Sequence, residues 1–169
     1  MSQDPPSLAQ AWLTAARDEH IVAELEGIYA YIAAAIESRG PACWASGRCC
    51  NFDAAGHRLY VTGLETAYAV ARLTAMSKGN TRPSDFPVLS SSTLAAAVQS
   101  GGCPFQIKNL CGIHAIKPLG CRVYFCDRSA QRWQEELSEA MLARVRSLHD
   151  RHGVEYRYGE WRQMLSAFA

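Results

Sequence analysis

The sequence carries almost no net charge, no long apolar run and none of the common catalytic signatures, and each absence narrows the field. Seventeen basic residues against sixteen acidic ones leave a formal charge of +1, which gives no long-range attraction to nucleic acid or to an anionic membrane. Nowhere do about eighteen apolar residues run together, so no membrane-spanning helix is expected. The opening MSQDPPSLAQ lacks the basic and apolar regions of a secretory signal, and a cytoplasmic location is the expectation. A Gly-rich phosphate loop, a G-x-S-x-G elbow and an H-E-x-x-H helix are all missing, so nothing specifies a hydrolase or a nucleotide enzyme. Repeats, low-complexity tracts and compositional breaks are absent too, which leaves one domain over residues 1–169.

What is present is helical periodicity. Ser7 and Gln10 make a capping-box pattern that predicts a helix start, and Ile21, Leu25, Ile28, Ile32 and Ile36 follow at helical spacing until Gly40-Pro41. The charged stretch Arg17-Asp18-Glu19 leaves one long helix or two in succession equally open. A short extended segment is expected from Arg58 to Val61. Thr62 and Glu65 form a second capping box, leading into an apolar helix from Leu64 to Met76 that ends near Gly79. Residues 80–92 read as a loop, and a short helix over Leu94 to Gln99 stops at Gly101-Gly102. A long amphipathic helix from Asp127 or Ser129 puts Trp133, Leu137, Met141, Val145 and Leu148 on one stripe before Gly153, and a last helix covers Glu160 to Phe168. Strand signals are few. The expected fold is mainly α: a small helical bundle with irregular cysteine-rich loops and at most a short hairpin.

Seven cysteines, Cys43, Cys49, Cys50, Cys103, Cys111, Cys121 and Cys126, all fall in two segments rich in glycine and proline and none in the apolar stripes. Packing cysteines belong in the stripes, so the segregation speaks for ligation. An odd number cannot all pair within one chain, and a reducing compartment disfavours disulfides. Thiolates are soft ligands that select zinc or iron–sulfur clusters over magnesium or calcium. Four satisfy one zinc or one cubane, and His114, three residues after Cys111, would bring the donor set to eight. No C-x2-C zinc knuckle occurs, whereas Cys43-x2-Ser46-x2-Cys49 has the cadence of a bacterial ferredoxin run with serine in the middle.

The octet Cys43 to Cys50 resembles the C-x2-C-x2-C-C signature of the YkgJ-type cysteine-cluster family of zinc- or iron-chelating domains. Cys103-Pro104-Phe105, Cys111-Gly-Ile-His114 and Pro118-x2-Cys121-Arg122 resemble that family's downstream elements. The likeness covers about residues 43 to 126 and implies a metal-binding core over about 41–127, flanked by helices. It departs from the family at Ser46, at His114 where tyrosine is usual, and at Lys117 where arginine is usual. Cys126 would replace the thiolate missing at position 46 if the two positions converge.

The expected cofactor is an iron–sulfur cluster, of 4Fe-4S type, slightly ahead of a zinc ion, serving redox, sensing or metal handling. Two other readings stay open: a metalloenzyme with an open coordination position, and a purely structural zinc module. Around the cysteines, Lys117 and Arg122 are candidates to neutralise thiolate charge, and Trp44, Phe105, Tyr124 and Phe125 to exclude water. His57 reads as a surface loop residue. His20, His149 and His152, set among charged helical residues, read as solvated.

Overall fold

The computed structural model describes residues 5–41, 43, 46–79 and 86–169. The chain is mainly helical, as expected. Helix α1 (Pro5–Ala15) starts two residues before the predicted Ser7, because proline's fixed φ suits a first helical turn whose N–H groups have no partner anyway. Between α1 and α2 (Glu19–Arg39) the chain breaks at Asp18, whose carboxylate accepts from His20 N at 2.9 Å and Ile21 N at 3.1 Å. Two helices, not one, are thus built. Gly40 ends α2 in the left-handed region at φ 64°, returning its N–H to Ile36 O.

A 3-10 turn over Arg48–Cys50 leads into a one-turn helix, α3 (Phe52–Ala55), in a stretch read from sequence as irregular. Strand β1 (Tyr60–Thr62) follows, then α4 (Gly63–Ser77) behind the capping box that Thr62 and Glu65 form as predicted. Residues 80–85 of the loop expected at 80–92 lie outside the described residues. Helix α5 (Ser91–Ser100) begins three residues earlier than predicted, since Ser90 and Thr93 make a further capping box.

The segment from Cys103 to Cys126 is more ordered than its glycines and prolines suggest. Strands β2 (Gln106–Ile107) and β3 (Leu110–Cys111) form a tight hairpin whose turn residues Lys108 and Asn109 both take positive φ, the geometry that matches strand twist. A short helix, α6 (Leu119–Val123), comes next. After it, α7 (Gln131–His152) runs to Gly153 and is followed by strand β4 (Tyr158–Glu160) and helix α8 (Trp161–Leu165). β4 pairs antiparallel with β1, a ribbon not expected from the sequence.

The core lies where α2, α4 and α7 meet, with Leu25, Ile32, Leu64, Met141, Val145 and Leu148 almost wholly buried. Each such side chain contributes about 1.5–3 kcal/mol relative to exposure. Trp12 of α1 packs on the first residue of α4, Gly63, where any side chain would collide with the indole ring. His149 is fully buried, against expectation. It falls four residues after Val145, on the inward stripe of α7, and its Nδ1 bonds Val154 O at 3.1 Å. No helix among the described residues is long and apolar enough to cross a membrane.

Candidate metal centre

The two cysteine segments meet, and backbone chemistry joins them. Cys103 N–H donates to Cys50 O at 2.8 Å and Asp53 N–H to Gly101 O at 2.9 Å. The β2–β3 hairpin reaches back as well: Asn109 Nδ2 donates to Ser46 O at 2.9 Å and Gln106 Nε2 to Gly47 O at 3.3 Å. Gly47 must be glycine here, having φ 73° and the Asn109 side chain where a Cβ would sit.

Glu65 anchors the floor of this assembly. It is 1% exposed, and its Oε1 accepts from Leu119 N at 2.8 Å and Tyr29 OH at 3.3 Å, while Oε2 accepts from Thr62 N and Oγ1. One carboxylate therefore ties α2, α4 and the start of α6, and so fixes the short helix that carries Cys121.

Cys50 is the centre of the sulfur group. Its buried thiol lies beside those of Cys103, Cys111 and Cys49, and sharing its proton with them pushes its pKa far above the ordinary thiol range. The converse holds for its neighbours. Hydrogen bonding from Cys50 lowers Cys49 to about 6 and Cys111 to about 7, with the Lys117 charge adding to both. Cys103 is lowered for the same first reason. Trp161, whose buried indole N–H has no hydrogen-bond partner, lies near enough to Cys103 to lower its pKa further. Burial drives Cys121 well upward, and the charges of Cys103 and Cys111 push the same way.

The remaining predicted residues lie further out. Cys43 is exposed and sits in the wall of the adjoining cavity. Cys126 lies against Ser46, Sγ to Oγ 3.6 Å, so the convergence expected of positions 46 and 126 occurs. His114 is exposed, with Nε2 3.0 Å from Lys117 Nζ. That cation, ahead of burial, lowers its pKa. Trp44 lies outside the described residues.

His57 is not the surface residue expected. Its ring stacks on Tyr124 at 4.8 Å and meets Phe52 edge-on at 5.5 Å, and burial lowers its pKa. It thereby packs the start of β1 against the segment that follows α6. Nothing local in the sequence signals this, because Tyr124 is far away along the chain. Arg122 donates Nε to Lys117 O at 2.7 Å and Nη2 to Ala115 O at 3.1 Å, with its guanidinium 3.9 Å over the Tyr29 ring. It braces the turn that carries Lys117.

Two clefts flank the sulfurs. One, of about 610 Å³, reaches Cys49, Cys50, Cys111 and Cys121; the other, of about 350 Å³, reaches Cys49 and Cys121 from the side of α7 and the β1–β4 ribbon. Among the described residues no group of three or more His, Cys, Asp and Glu side chains is set to hold a metal ion. The donor chemistry fits a thiophilic centre: several clustered thiols, some ionised near neutral pH, are soft ligands whose remaining protons a metal would displace. No family model, curated protein or solved structure matches the chain.

Proposed function

We propose that this chain binds a cysteine-ligated metal centre in the reducing cytoplasm, an iron–sulfur cluster ahead of zinc. The observation that supports it most is the grouping of Cys49, Cys103 and Cys111 around the Cys50 thiol, with Cys121 in the same wall. Residues more than fifty positions apart have been brought together at considerable cost in chain entropy. A group of thiols used only for packing would not place acidic thiols beside a cleft.

In this reading Cys49, Cys50, Cys103 and Cys111 hold the centre, and Cys121 adjoins it. A bound cluster would supply one-electron transfer or a response to iron or oxidant; zinc would supply rigidity. The protein's own groups do the rest. Lys117 offsets thiolate charge, and Phe105, 1% exposed, excludes water from below. The open cleft beside Cys49 favours a second reading, in which one position of the centre faces a substrate.

Anaerobic purification followed by iron, acid-labile sulfide and zinc analysis tests the proposal. The expected sample is brown, with stoichiometric iron and sulfide that Cys50→Ser abolishes. Colourless protein with stoichiometric zinc would replace the cluster and keep the chelation, and protein free of all three would overturn the proposal.

A further inference from the structure

Among the described residues three buried side-chain nitrogens have no partner: His57 Nδ1, His149 Nε2 and Trp161 Nε1. A neutral imidazole keeps one bare nitrogen, so neither histidine nitrogen needs to carry a proton; His149 donates through Nδ1, to Val154 O at 3.1 Å. An indole has no such escape, because its N–H is a donor only. Trp12, also in the core, gives its indole N–H to Glu155 O at 2.9 Å. Trp161, 0% exposed, gives its own to nothing. Folding has stripped water from that group and put no acceptor in its place.

The ring is fixed where it stands. Trp161 donates its backbone N–H to Leu59 O at 2.8 Å, and its indole meets Phe105, two residues after Cys103, edge-on at 5.9 Å. The next residue of α8, Arg162, is buried too. Its Nε donates to Glu160 Oε1 at 3.0 Å, and its guanidinium lies 5.3 Å from the centre of the Phe52 ring, two residues after Cys50. The first two side chains of α8 therefore brace one cysteine segment each. The unmet indole N–H lies beside Cys103, where it favours the ionised sulfur. A neutral thiol accepts hydrogen bonds weakly, whereas a thiolate is a charged acceptor and takes them strongly.

We propose that the Trp161 indole N–H donates to the Cys103 thiolate once a metal is bound, which makes Trp161 a positioning residue of the metal centre. This rests on the metal reading and deepens it, adding a donor from the far end of the chain. Hydrogen bonds of this kind orient the ligand and raise affinity, and in a cluster they also help set the reduction potential.

Full-length protein carrying heavy-nitrogen tryptophan, loaded with a magnetically active cadmium isotope in place of zinc, tests the inference by nuclear magnetic resonance. On loading, the Trp161 indole proton is expected to move downfield and to show scalar coupling to cadmium through the hydrogen bond, while the Trp12 indole signal stays in place. The coupling needs no variant, since only an indole bonded to a metal-bound sulfur can show it. In competition with a chromophoric chelator, Trp161→Phe is expected to weaken zinc binding by about tenfold, the scale for groups that hydrogen-bond metal ligands. Leu165→Ala, which opens a cavity in the same helix, should lower stability and leave zinc affinity unchanged. Cadmium-loaded protein whose Trp161 indole neither shifts nor couples would overturn this inference, as would equal loss of zinc affinity in the two variants. Protein that takes up no cadmium would overturn it as well, whereas the metal reading stands or falls on the iron, sulfide and zinc analysis.

Discussion

Ser46 and Cys126, one in each cysteine segment, stand 3.6 Å apart, hydroxyl oxygen to sulfur. A thiol beside a hydroxyl offers one soft donor, and replacing the hydroxyl supplies a second. Ser46→Cys is therefore expected to tighten zinc binding by about tenfold, the scale of effects seen when metal surroundings change. Competition against a chromophoric chelator measures the gain, and adding Cys126→Ala should erase it.

Adjacent Cys49 and Cys50 differ in proton affinity despite sharing a peptide bond. Cys49 is held at about 6 chiefly by a hydrogen bond from Cys50, whose own thiol stays protonated. Brief iodoacetamide treatment of metal-free protein at pH 7 should alkylate Cys49 at least about tenfold faster, since the thiolate is the nucleophile. Tandem mass spectrometry of the peptide carrying both resolves the order, and equal labelling would contradict the hydrogen-bond scheme.

Removing the Glu65 carboxylate would strand the Thr62 and Leu119 N–H groups and the Tyr29 hydroxyl in the interior. Each orphaned buried donor costs about 1–3 kcal/mol, so Glu65→Ala should lose about 3–5 kcal/mol of stability in urea unfolding. Asp53→Ala, at an exposed position, is the control and should lose far less.

Burial holds the His149 pKa below its ordinary value. The unfolded chain then takes up a proton that the folded chain refuses, so stability is fully present above the unfolded value of about 6.5 and declines as pH falls through it towards the lower folded pKa. Urea midpoints measured from pH 7.5 down to 5 should fall, and His149→Phe should flatten that slope. His57 and His114 shift in the same direction, so part of the slope should survive.

Trp12 covers Gly63 closely enough that a methyl group would collide with its ring. Gly63→Ala should cost about 1–3 kcal/mol, the usual range for overpacking, with the loss read as a lower thermal midpoint. An unchanged midpoint would mean that α1 shifts freely on α4.

Local chemistry made much of the fold legible in advance. The Thr62–Glu65 capping box, the glycines at 40, 101 and 153 and the stripes of α2 and α7 all depend on residues within a turn or two of each other. The β1–β4 ribbon did not show, because Tyr60 pairs with Glu160, and neither strand is long enough for alternation to appear. Pro118 and Gly120 disguised α6, whose first N–H is satisfied by Glu65 rather than by a local cap. His149 was misread although its place on the α7 stripe was visible; the charged residues around it outweighed the spacing. At the candidate site, the grouping of cysteines into two segments was legible and their meeting was an expectation. That Cys50 lies at the centre and Cys126 at the margin depends on side-chain placement that no spacing rule encodes.

The ribbon between β1 and β4 sets an order of events during biosynthesis. Trp161 donates its backbone N–H to Leu59 O at 2.8 Å, and its indole closes on Cys103. While residue 160 is still inside the ribosome, the earlier cysteines have emerged but one side of their enclosure has not. The nest of sulfurs is thus finished only after translation has passed it, leaving an interval in which chaperones and small thiols meet it unshielded.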